Sequence, residues 1–144
     1  MPRTAIPART PDCSSVEQDV RDSIRAYARA WVSGDIPAIA AMYHPGFTLN
    51  YFGRNALARR HIGKSAAIEA LGEFRKRTGR KLVKILAEMS GPERGGLVSL
   101  ETMQFKGATV SVERVYLYTV QRGLLRECWV YDQDQRQIDE IIAQ

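Results

Sequence analysis

The stretch from Thr109 to Asp132 constrains this chain more than any other, because it reads as one long β-hairpin. Its arms, Thr109-Val-Ser-Val-Glu-Arg-Val-Tyr-Leu-Tyr-Thr-Val120 and Leu124-Leu-Arg-Glu-Cys-Trp-Val-Tyr-Asp132, are crowded with β-branched and aromatic residues, which suit a pleated surface. Gln121-Arg122-Gly123 between them carries the glycine that a tight reversal needs. Alternation puts Arg114, Tyr116 and Tyr118 on one face of the first arm, opposite Val115, Leu117 and Thr119. On the return arm Cys128, Val130 and Asp132 oppose Glu127, Trp129 and Tyr131. One face mixes hydroxyls and charge with apolar groups, as a ligand-facing wall does. The other carries an indole and a phenol that need cover.

The rest of the chain supplies cover and rim. At 144 residues it is sized for one domain with a real core. No apolar run is long enough to span a bilayer, and Met1 to Asp12 lacks the apolar segment of a signal peptide, so a cytoplasmic protein without membrane contact is expected. Prolines 2, 7 and 11 mark residues 1–13 as a disordered lead-in, with a single domain over 14–144. Cys13 and Cys128 look like neither a disulfide pair nor a metal site.

Charge is uneven. Between Arg54 and Lys84 ten basic residues face two acids, Glu69 and Glu73, a local charge of +8 within a net +5. A solvated helix face and loop explain this better than nucleic acid does, because Phe74 is the only aromatic in the stretch available for stacking on bases.

In chain order, Ser14-Ser-Val-Glu17 has capping-box form, with an apolar stripe through Val16, Val20, Ile24, Tyr27, Ala28 and Trp31. Ser33-Gly34-Asp35 ends that helix, and a short second one runs to Met42-Tyr43, stopped by His44-Pro45-Gly46. Phe47 to Phe52 alternates like a strand, Gly53 to Gly63 is a basic loop, and Lys64 to Thr78 is a helix closed by Gly79. Strands are expected at Leu82–Met89 and Leu97–Phe105, with a loop over Gly91–Gly96 between them and a final helix within Gln133–Ala143. Helices followed by an antiparallel meander give an α+β class.

This order resembles the nuclear transport factor 2-like superfamily, in its SnoaL-like branch, over about Val16 to Ile142. The pieces that carry it are Tyr27-Ala-Arg-Ala-Trp-Val-Ser-Gly-Asp35, Ile62-Gly63 leading into Ala66-Ala-Ile-Glu-Ala-Leu71, and Gly123-Leu-Leu-Arg-Glu-Cys-Trp-Val-Tyr-Asp132. The resemblance implies a cone of curved antiparallel sheet, helices packed over it around a pocket, and pairing of two subunits through the outer sheet face. Its members include isomerases, cyclases, hydrolases, dehydratases and plain binding modules.

Carried over by position, Tyr27 matches the first-helix tyrosine that ketosteroid isomerases use as an oxyanion donor. Their catalytic base falls at Tyr51. Their second acid, and the histidine of SnoaL-type cyclases, fall near Tyr116. The acid that cyclases and limonene-epoxide hydrolases place after the final tryptophan falls at Val130. Those mismatches argue against steroid isomerisation, aldol-type cyclisation or epoxide hydrolysis by the usual residues.

His44 and His61 have no ligand-spaced partner and suit surface or hinge roles, so no metal site and no cofactor are expected. Ser99, Glu101 and Met103 share one strand face, which makes Glu101 the carboxylate candidate with Arg114 across the hairpin. The candidate catalytic set is Glu101, Tyr27 and Tyr116. Tyr51, Ser99, Met103, Arg114, Tyr118 and Val130 are the expected ligand contacts, and Glu127, Trp129 and Tyr131 the homodimer face. Asp132 and Asp134 are read as caps of the final helix. Two readings stand: a small-molecule pocket with cofactor-independent isomerase, cyclase or lyase chemistry on an apolar carbonyl- or acid-bearing ligand, and a non-catalytic binding or dimerisation module. In the second, Glu101–Arg114 is a structural ion pair.

Overall fold

The computed structural model describes residues 13–144, with side chains from Ser15 onward. The expected tail, except its last residue, and the Ser14 cap side chain lie outside the described residues. Ten elements follow in order: α1 (Cys13–Ser33), α2 (Ile36–Ala41), β1 (Tyr43–Asn50), β2 (Arg60–Ile62), α3 (Lys64–Thr78), β3 (Lys81–Ser90), β4 (Arg94–Phe105), β5 (Ala108–Gln121), β6 (Leu124–Asp132) and α4 (Gln135–Ala143). The backbone at Ser14 is already helical, so the helix begins before the expected cap. No helix among the described residues is long and apolar enough to cross a membrane.

The strands form one curved, unclosed sheet in the order β2-β1-β6-β5-β4-β3. β3 to β6 are the expected antiparallel meander, and the fold is α+β. The hairpin turns through Arg122 and Gly123, both at positive φ (52° and 76°), and Lys106–Gly107 repeats that geometry between β4 and β5. Two successive left-handed residues match the twist of the flanking strands, which is why glycine sits at the second.

Three expectations need correction. β1 runs parallel to β6, so the sheet is mixed rather than wholly antiparallel. His44-Pro45-Gly46 lies inside β1 rather than stopping a helix, within the register shift between Tyr43 and Thr48. A proline is tolerated there because a bulge asks for no ladder hydrogen bond from it. The basic loop contains the short strand β2, in which His61 is buried with Nε2 2.8 Å from the Leu57 carbonyl, not a surface residue.

Arg94-Gly95-Gly96, read as loop, opens β4. The glycine there serves a close approach: a Cβ on Gly95 would meet Ile24 Cγ1 at 2.5 Å and Val20 Cγ1 at 2.8 Å. α1 therefore seats its apolar stripe directly on the β4 backbone, and Val20, Ile24, Tyr27 and Ala28 are all buried. α3 buries Ala67, Ala70 and Phe74, and α4 buries Ile138, Ile141 and Ile142. The inner sheet face is thus covered, but not over its whole area.

Candidate functional site

Between α1, α2, α3 and the inner sheet face lies a cavity of about 490 Å³. Its apolar wall comes from Ile36 and Ile39 of α2, Phe47 and Leu49 of β1, and Ile68 and Leu71 of α3. α1 turns Tyr27 and Trp31 into it, because the helical stripe that covers the sheet extends past the sheet's covered area. β5 and β6 add Tyr116, Tyr118 and Cys128, the alternate residues of the inner face.

The aromatic groups interlock. Tyr27 meets Tyr118 edge-on at 5.3 Å, Trp31 meets Tyr116 edge-on at 5.1 Å, and Tyr43 stacks on Phe47 at 4.3 Å. The Tyr27 and Tyr43 hydroxyls are 2.7 Å apart. Two hydroxyls sharing one hydrogen bond leave the second O–H free to donate elsewhere. Burial pushes the Tyr27 phenol up to about 12, against hydrogen bonds from Tyr43 and Tyr118 that pull it down. Burial and then the neighbouring Tyr27 raise Tyr43 well above the ordinary phenol range. Both are neutral donors near pH 7. Burial also raises the Cys128 thiol, so it is no thiolate nucleophile.

Under one end of this cavity lies a charged network. Tyr116 donates from its hydroxyl to Glu101 Oε2 at 2.9 Å and accepts from Arg114 Nη1 at 2.9 Å and Arg80 Nη1 at 3.3 Å. Ser99 also donates to Glu101 Oε2, at 3.0 Å. Glu101 Oε1 lies 3.3 Å from Arg80 Nε, an ion pair lacking the alignment of a hydrogen bond. Arg114 forks onto Asp132, Nε to Oδ1 at 2.5 Å and Nη2 to Oδ2 at 3.3 Å, and Phe74 of α3 covers its guanidinium at 4.3 Å. Burial alone would lower the Arg114 pKa, but Tyr116, Glu101 and Asp132 outweigh it and hold the cation above its ordinary value. The Tyr116 phenol is raised mainly by burial, with Arg114 opposing.

Of the residues expected at the site, Tyr27, Tyr116 and Tyr118 line the cavity, whereas Tyr51, Ser99, Glu101, Met103, Arg114 and Val130 do not. Glu101 and Arg114 face inward as alternation requires, but at 0% and 1% exposure they lie beneath the wall, sealed by Phe74 and Tyr116. Tyr51 stacks on Phe74 at 5.3 Å, with its hydroxyl buried and without a hydrogen-bond partner. Met103 and Val130 are core residues. Asp132, read as a helix cap, instead clamps Arg114; Asp134 does cap α4, accepting from the Gln137 amide at 3.1 Å.

Sequence reasoning missed Tyr43, Trp31, Arg75, Arg80 and Lys81 as lining residues. Local pattern reads Tyr43 as a helix end and the three cations as part of a basic surface. One signal was available: Arg80 and Lys81 follow the Gly79 helix stop directly, where a chain turning back onto the sheet must pass the pocket rim.

On the outer face, Glu127 pairs with Arg60 at 3.3 Å and accepts from Asn50 at 3.0 Å. Trp129 is half-buried under the Arg94 guanidinium at 4.4 Å, and Tyr131, 46% exposed, stacks on Phe52 at 5.3 Å.

No family model matches the chain, and no curated protein matches its sequence. Solved structures do match its fold. Bal32a from a soil-derived mobile gene cassette superposes with a TM-score of 0.76 at 19% identity, over 88% of this chain and 98% of the other. TerC, co-crystallised with polyporic acid, gives 0.71 at 18% identity, over 88% and 99%. A candidate polyketide cyclase from Xanthomonas campestris pv. campestris gives 0.68 at 18% identity, over 88% and 98%. The chain has the nuclear transport factor 2-like fold, the one its sequence resembles.

Proposed function

We propose that this chain is a small-molecule-binding protein whose ligand has an apolar, ring-bearing body and at least one acid or carbonyl oxygen. The observation that carries this reading is the cavity of about 490 Å³, apolar and aromatic over most of its wall yet furnished with phenol donors. Ligand sites for small molecules fall in the range of roughly 300–1,000 Å³ and pair apolar walls with a few placed polar groups. The complex of TerC with polyporic acid supports it, since that protein shares the fold.

Binding is favoured over acid–base turnover because no Asp, Glu or His among the described residues lines the cavity. Glu101, the carboxylate candidate, is sealed beneath the wall, held at Oε2 by Ser99 and Tyr116 and paired with two arginines. A second reading, isomerase, cyclase or lyase chemistry, has the Tyr27–Tyr43 pair in its favour. A neutral phenol donor aimed at a ligand carbonyl stabilises the negative charge that enolisation places there. In that reading the enzyme would polarise the ligand and leave proton removal to the ligand's own groups or to solvent.

Thermal melts against hydroxylated aromatic acids, polyporic acid among them, test the proposal. A ligand at a hundred times its Kd adds about 2.7 kcal/mol of stability. A clear upward shift for at least one acid is expected. Indifference to every member of the panel would count against the reading.

A further inference from the structure

We infer that the pocket selects anions, and that Arg75, Arg80 and Lys81 at the α3–β3 junction form its acid-binding end. This deepens the proposed function and rests on it. Among the described residues, three cationic side chains line the cavity and no carboxylate does. They come from one short stretch: Arg75 in the last turn of α3, then Arg80 and Lys81 directly after the left-handed Gly79.

Their neutralisation is incomplete. Below the wall, Arg80 and Arg114 are balanced by Glu101 and Asp132, two cations against two anions. That leaves Arg75 and Lys81, whose exposed side chains make no ion pair or hydrogen bond among the described residues. The cavity therefore carries two uncompensated positive charges at one end, facing walls of low polarizability where Coulomb attraction is screened less than in water.

Arg80 is built to orient the ligand. Its guanidinium stacks over Trp31 at 5.4 Å, its Nε lies 3.3 Å from Glu101 and its Nη1 donates to Tyr116. Nη2 is left to donate, and a planar guanidinium offers its donors in a rigid fork suited to carboxylate or sulfonate oxygens. Glu101 thus acts as a positioning residue for Arg80, not as a base. The expected ligand is a monoanion or dianion, such as an aromatic carboxylate or an acidic hydroxyquinone, with its rings against Leu71, Phe47 and Tyr43 and its charge at the α3–β3 junction.

Two dyes with the same ring system separate charge from shape: anilinonaphthalenesulfonate, an anion, and N-phenylnaphthylamine, which lacks the sulfonate. Fluorescence titrations of the wild-type chain should give at least about tenfold tighter binding of the anion, a ratio that shrinks as salt is raised. Arg75→Gln/Lys81→Gln, at two exposed positions, should erase most of that ratio by weakening the anion. Leu71→Trp, which pushes a larger ring into the cavity, should weaken both. Equal affinities of the two dyes, both sensitive to Leu71→Trp, would overturn the anion inference and leave the pocket reading intact. Binding of neither dye, or binding indifferent to Leu71→Trp, would overturn both.

Discussion

Tyr116 and Glu101, on neighbouring strands, share a hydrogen bond of 2.9 Å that closes the carboxylate into the protein interior. The same hydroxyl accepts from Arg114 and Arg80, so its one proton and both lone pairs are used. The four charges around it cancel only while all are present. Removing one partner of a buried ion pair leaves the other uncompensated, at a cost of roughly 3–5 kcal/mol. Glu101→Gln should therefore lower unfolding free energy on the order of 3 kcal/mol in urea titrations, since Arg114 keeps Asp132 while Arg80 loses its anion. Tyr116→Phe should cost about 1–3 kcal/mol through the donors it strands. A Glu101→Gln variant as stable as the wild type would refute the structural role assigned to this carboxylate.

Alkaline pH supplies a second test. Tyr27, Tyr43, Tyr51, Tyr116 and Tyr118 all have phenols raised above the model-peptide range, burial being the largest cause in each case. A pKa higher in the folded chain than in the unfolded one contributes stability below the unfolded value, near 10, that is lost as pH rises through the folded value. For Tyr27 that window runs from about 10 to about 12. Stability should fall across it, and phenolate absorbance from these five tyrosines should develop together with unfolding. Smooth ionisation of all six tyrosines in a still-folded chain would contradict the packing described.

The outer sheet face should pair two copies of the chain. Trp129 and Tyr131 have partial cover from Arg94 and Phe52, while Val98, Leu100, Val115 and Leu117 beside them are only half-buried. Sedimentation at micromolar concentration should give a dimer, and Trp129→Glu should give a monomer, because it removes the indole from the centre of the apolar contact and puts a charge there. A wild-type monomer at that concentration would end the proposal.

The basic stretch from Arg54 to Lys84 should not recognise nucleic acid. Arg60, Arg77 and Arg80 are each spent on a carboxylate, and Phe74, the aromatic nearest those charges, is buried. Retention on an anionic column should be weak and should vanish with moderate salt. Sequence-selective, submicromolar binding at physiological salt would show otherwise.

Much of the fold was legible in the sequence because alternation reports faces. It put Arg114, Tyr116 and Tyr118 inward and Trp129 and Tyr131 outward, as found. Alternation carries no information on depth along a strand. Glu101 and Tyr116 both face inward, yet Phe74 from a distant helix seals the guanidinium beneath while the Tyr116 ring reaches the cavity. Gly95 reads as a loop residue until the helix lying on it is known. Pro45 looks like a stop until the β1 bulge that accommodates it is seen. Arg80 and Tyr43 are pocket residues only because of long-range packing between α1, α3 and the sheet, which no local pattern encodes.

The cavity should hold an apolar-bodied anion with its charge at Arg80. Soaking a crystal of the wild-type chain with a bromonaphthoate locates both ends of such a ligand at once. An anomalous bromine peak is expected among Leu71, Phe47 and Tyr43, with the carboxylate within hydrogen-bonding distance of Arg80 and close to Arg75 or Lys81. Bromine sites confined to the outer surface, around a cavity shut by its own side chains, would contradict it.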